Sequence, residues 1–276
     1  MVKMGTVWDR TVEFISDNLA LLVPIAILTI LVPTTITSSL EPLTGTPGFL
    51  VAVAILQLGL AIVTMWGQLA ITALAIDPTT GSRAKRIATA RLLPAIGVYV
   101  VVFAVALLAV VPILIMLMAS GVDLANIAAT SDASGAFSGP ILLYALVLVI
   151  VGLFVGVRIA VATPVIIAER LGLRAIPRAF ALTRGLTWKL IGVILLFGVV
   201  LLVATSATRL VVGSIFALTT DMGPGVSVGS VVTAAIVAAI STGFTVLATA
   251  FIANLYVVIL RAREAAQPAP LASDPL

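Results

Sequence analysis

Six long apolar runs divide the chain, at about residues 19–39, 49–75, 95–119, 140–168, 188–218 and 231–260. Each is long enough to cross a bilayer, because roughly 20 apolar residues of helix span the hydrocarbon. Turn chemistry fills the gaps between them. Glu41, Pro42 and Pro47 follow the first run, and Asp77-Pro78-Thr79-Thr80-Gly81 follows the second. A Gly-, Ser- and Asp-rich stretch with Asp123 and Asp132 follows the third, and Asp221-Met222-Gly223-Pro224-Gly225 follows the fifth. The pattern predicts an all-α polytopic transmembrane bundle of six helices over residues 1–262, then a disordered tail at 263–276. The first run is expected to be a retained helix. Asp9, Glu13 and Asp17 flank it, and no clear A-x-A cleavage site follows.

Shorter amphipathic segments sit at alternate ends of the spans. In residues 6–17, Val7, Trp8, Thr11, Val12, Phe14 and Ile15 share one side at about 100° per residue, opposite Asp9, Arg10, Glu13, Ser16 and Asp17. In residues 176–189, Ile176, Ala179, Phe180, Leu182, Thr183 and Leu186 form an apolar arc. Arg174, Arg178, Arg184 and Lys189 face the other way, and Pro177 suits a first helical turn. Such helices lie in the headgroup region with the apolar face down. A third segment, residues 82–92, carries its bases all round. The layout of short helix, span, loop and returning span therefore occurs three times, without a residue-level repeat.

Charge orients this layout. Of 15 Lys and Arg, Arg158 and Arg209 lie within the runs, and the other thirteen flank alternate ends of the spans. None falls in the three intervening loops, which places both termini on the cytoplasmic side. Composition agrees with a membrane setting: 62% of residues are hydrophobic and 9% charged, against about 25% charged in soluble domains. Mean hydropathy is +1.30. The net charge of +4 borders membrane spans, so anionic lipid headgroups are the expected counter-charge, with no nucleic acid partner.

Few polar groups lie at depth. Arg158 falls roughly 10 residues from the basic end of the fourth run, which at about 1.5 Å per residue is near mid-membrane. A charge there faces the bundle interior or a wet cavity by default, so Arg158 is a candidate anion ligand beside Arg174, Arg178, Arg184 and Lys189. Arg209 is placed to reach the opposite headgroups. Gln57, Gln68 and Asn254 read as interhelical hydrogen-bond donors. Gly152 with Gly156, and Ser241-Thr242-Gly243, read as close-packing positions. The chain has no His and no Cys. It has no phosphate loop with its Lys, no H-E-x-x-H and no G-x-S-x-G. No enzyme chemistry, metal site or cofactor is implied.

The stretch from Ala162-Thr163-Pro164 through Glu169-Arg170-Leu171-Gly172 leads to Arg178-Ala179-Phe180-Ala181-Leu182-Thr183-Arg184-Gly185 and Trp188. It resembles the cytoplasmic segment of the bacterial glycerophosphoryl diester phosphodiesterase membrane-domain family. Pro164, Glu169, Arg178, Phe180, Leu182, Thr183, Arg184, Gly185 and Trp188 match that family's pattern over roughly 30 residues. The resemblance implies a six-span protein of a bacterial inner membrane. The phosphodiesterase label does not carry over, because that chemistry uses histidines and this chain has none. The expected function is non-enzymatic engagement of lipids at the inner face, as lipid binding or movement. The alternative is a scaffold or permease-like subunit whose cytoplasmic loops dock a protein partner.

Overall fold

A computed structural model describes residues 4–40, 48, 50–119, 139–219 and 228–265. Every element among them is helical. Six stretches are long and apolar enough to cross a membrane: Leu19–Ser39, Leu50–Ile76, Arg83–Ala119, Gly139–Ala168, Thr187–Ile215 and Val231–Glu264. The chain is a multi-pass helical membrane protein. The expected loop residues Glu41, Pro42, Pro47, Asp123, Asp132 and Asp221–Gly225, and the tail from residue 266, lie outside the described residues.

Helix α1, Met4–Asp17, runs ahead of the first span. That span comprises α2 (Leu19–Ala26), a π turn at Ile27–Leu31 and α3 (Val32–Ser39). The π turn has a local cause. Pro33 has no N–H, and its ring excludes the carbonyl four residues back. The ladder widens just before it, so the Val32 N–H donates to Ile27 O. Thr29 in this turn presses on Gly67 of the second span, α4 (Leu50–Ile76). A Cβ at Gly67 would lie 2.5 Å from Thr29 Cβ and overlap its hydroxyl. Gly81, at φ +47, then turns the chain into α5 (Arg83–Ala119).

Three element boundaries differ from the hydropathy reading. Residues 82–92 do not form a separate interfacial helix, because α5 continues through Pro94 as one rod of 37 residues. The fourth run breaks at Val161 into α6 (Gly139–Ala160) and a short buried helix, α7 (Ala162–Ala168). Pro164 suits the first turn of α7, where its missing N–H costs nothing. The segment 176–189 divides into α8 (Ala175–Leu182) and a turn at Gly185, φ +87. Lys189 belongs to α9 (Thr187–Thr219), and α10 (Val228–Glu264) is the last helix among the described residues.

The core lies at the end of the bundle where the basic residues gather. Short α7 sits at its centre, against α4, α5, α8 and α10. Small residues bring the backbones together: Ala70 and Ala73 of α4, Ala84 and Ala88 of α5, Ala175 and Ala179 of α8, and Ala250 and Ala253 of α10 are all buried. Lipid tails are as apolar as Leu, so close van der Waals approach rather than hydrophobicity drives such contacts. Helix α1 adds Val7, Thr11 and Phe14 and packs on α10, where Asn254 Nδ2 donates to Thr11 Oγ1 at 3.4 Å. Its apolar arc is thus shared: Trp8 and Val12 stay exposed.

Candidate functional site

At the basic end, α4, α5 and the stretch after α7 enclose a cavity of about 510 Å³. Arg83, Arg86, Arg91 and Arg170 line it, with Asp77. Helical geometry explains the first three. At 100° per residue Arg86 lies about 60° to one side of Arg83 and Arg91 about 80° to the other. They share one arc of α5, and Lys85 points away. The bases of this segment therefore go all round α5, and three of the four face the cavity. Arg170 joins them from an αL backbone at φ +57, a conformation a side chain such as arginine rarely adopts. Asp77 is already engaged, accepting from the Thr79 N–H at 3.0 Å and the Thr79 hydroxyl at 2.6 Å. Among the described residues, no ion pair or hydrogen bond occupies these four guanidinium groups.

A second set of basic residues is consumed internally. Arg178 Nε donates to Glu169 Oε1 and Oε2 at 3.1 and 2.9 Å, and the buried Tyr256 hydroxyl donates to Oε1 at 3.1 Å. Arg263 donates to Ala181 O at 2.7 Å, capping the C-terminal end of α8. These bonds tie α8 to α10 and to the exit of α7.

Arg158 lies two residues before the end of α6 and ten before the end of the Gly139–Ala168 stretch. Its guanidinium carbon lies 4.4 Å from the Phe154 ring centre and 5.3 Å from that of Phe180 on α8. Two aromatic faces thus carry the charge in place of an acid. Its Nε is buried with no hydrogen bond.

The matching segment reads physically as follows. Pro164, Leu182 and Thr183 are buried, and Thr183 donates to Ala179 O at 2.9 Å. Gly185 takes the left-handed turn. Trp188 is 80% exposed on the first turn of α9, as an interfacial anchor would be. Arg174, Arg184 and Lys189 are exposed.

Three further expectations meet the structure differently. Asn254 does bridge helices, but Gln57 and Gln68 make no side-chain hydrogen bond among the described residues. Gly152 and Gly156 have nothing within 4 Å of an added Cβ and mediate no close contact there. Thr242 is buried but Gly243 faces open space. Near α1, burial and the Arg261 guanidinium hold Arg10 below the ordinary arginine value, with Glu13 acting in the opposite sense. No family model, curated protein or solved structure matches the chain.

Proposed function

We propose that this membrane protein binds the phosphate-bearing headgroup of an anionic lipid at its basic end, without chemistry upon it. The carrying observation is the cavity itself: four arginines converge on about 510 Å³ with one carboxylate that is already hydrogen-bonded. Guanidinium groups match phosphate oxygens in bidentate fashion, and uncompensated like charges around one space are relieved by an anion. The cavity lies at the basic end of α4, α5 and α7, where the charge asymmetry argues for the headgroup level and hence for access by a lipid within its own leaflet. Basic pockets between helices on the cytoplasmic side are known lipid headgroup sites, and the charge asymmetry of the loops supports that orientation in a bacterial inner membrane. The segment from Pro164 to Trp188 supports membership of the glycerophosphoryl diester phosphodiesterase membrane-domain family in its non-enzymatic form.

The test is native mass spectrometry of the protein in phosphatidylcholine nanodiscs holding a minor fraction of phosphatidylglycerol. The intact protein is expected to enrich phosphatidylglycerol. R83Q/R86Q/R91Q is expected to lose at least tenfold of that enrichment, and equal enrichment in both would remove the proposal.

A further inference from the structure

A second cavity, of about 550 Å³, lies between α3, α4 and α5, inside the membrane-spanning region. Its chemistry is the reverse of the arginine site. Thr34, Thr37 and Ser38 line it from α3, and Gln57, Thr64 and Gln68 from α4. Among the described residues, no acidic or basic one borders it. On α4 the polar stripe runs over 11 residues, about 16 Å along the axis at 1.5 Å per residue. Apolar Leu60, Ala61 and Met65 complete the same face.

From this arrangement we infer that the cavity binds an uncharged ligand bearing hydroxyl or ester carbonyl groups, reached from within the bilayer. Three observations carry the assignment. First, Gln57 and Gln68 expose two donors and one acceptor each, and neither side chain is hydrogen-bonded among the described residues. An amide without a partner in hydrocarbon is strongly disfavoured, so these groups need an occupant. Second, the threonine hydroxyls are half used. Thr37 donates to Pro33 O and Thr64 to Leu60 O, at 2.9 and 3.0 Å, which leaves lone pairs that accept from a ligand hydroxyl. Third, the walls are fixed. The π turn and Pro33 re-aim the polar end of α3, and the contact of Thr29 with Gly67 locks that span to α4. Tyr99 closes the cavity toward the core through a 2.8 Å hydrogen bond with Thr163 Oγ1. Interrupted helices with polar groups at depth are where membrane proteins place substrate sites. The described lining residues are all uncharged, which selects against ions and phosphates, since none of these residues would neutralise them.

Two sources supply this chemistry: the glycerol–ester region of a neutral lipid, or a free polyol. Full-length protein in phosphatidylcholine nanodiscs is titrated with dioleoylglycerol, and separately with glycerol, while retention is read by native mass spectrometry. Q57L/Q68L removes the unbonded amides without a change of shape that the cavity resists, and T34V/T37V is an isosteric second variant. Both are expected to keep the wild-type thermal midpoint and to lose at least tenfold of the retained ligand. Retention of dioleoylglycerol alone identifies a lipid site, and retention of glycerol identifies a polyol site. Three outcomes overturn the inference: neither probe is retained, the two variants retain a probe as well as wild type, or phosphatidic acid is lost in Q57L/Q68L yet survives R83Q/R86Q/R91Q.

Discussion

The two ends of this bundle are built differently. At the basic end, alanines of four helices are buried around short α7, and hydrogen bonds cross between elements. Toward the other end the same helices part. In the most apolar window of α5 only 6% of residues are buried, against 33% in the first span. Leu107, Leu108, Leu142, Leu143, Leu202 and Leu210 all face outward. Fold and ligand sites are therefore not distributed evenly through the membrane. One half holds the helices together, and the other presents surface to lipid.

Glycine substitution is the sharpest way to break that contrast. Gly67→Leu drives a side chain into Thr29 and is expected to destabilise the protein by about 3 kcal/mol or more, seen as loss of monodisperse material in detergent. The next largest effect belongs to Glu169→Ala. It strands the buried Tyr256 hydroxyl and frees Arg178, which should cost about 2 kcal/mol and lower the thermal midpoint. An unchanged midpoint would mean that this end is not the stabilising one.

R83Q/R86Q/R91Q sharpens the comparison from the other side. It should leave the midpoint where it is or raise it, because it removes like charges. It should also weaken anionic-lipid enrichment about tenfold, and the wild-type enrichment should itself fall as salt rises. Tyr144→Phe, which deletes a 3.0 Å bond to Ala109 O in the loosely packed half, is expected to cost only about 0.5–1 kcal/mol in the same melt. Gly152→Ala should be neutral or stabilising by about 0.5 kcal/mol, since a Cβ there meets nothing and alanine prefers the helix. A large loss at Gly152 would reverse the assignment of the two halves.

The spans themselves were legible, because length and apolar content alone select a lipid-crossing helix. Which face of each span is buried was not, since core-facing and lipid-facing positions are equally apolar, and the polar stripe of α4 lines a cavity rather than the packed core. For the same reason the break at Val161 is invisible to hydropathy: Val161, Ala162, Val165 and Ile166 read as more span, although they form the centre of the core. The spacing of Arg83, Arg86 and Arg91 was open to a helical-wheel reading, but Arg170 joins them only through the fold. Glu169 and Arg178 stood together in the matching segment, whereas their third member, Tyr256, is 87 residues from Glu169. Gln57 and Gln68 were recognisable as polar groups at depth, yet only the structure shows that no neighbouring helix takes up their amides.

The clasp between Thr11 and Asn254 joins residues 243 apart in the chain. At 5–20 residues per second of synthesis, roughly 12–50 s separate the emergence of its two halves. Throughout that interval α1 lacks the helix on which Val7, Thr11 and Phe14 come to rest. A nascent chain halted before α10 should expose these residues to proteases and chaperones, so release of the last helix is the step that completes the packed end.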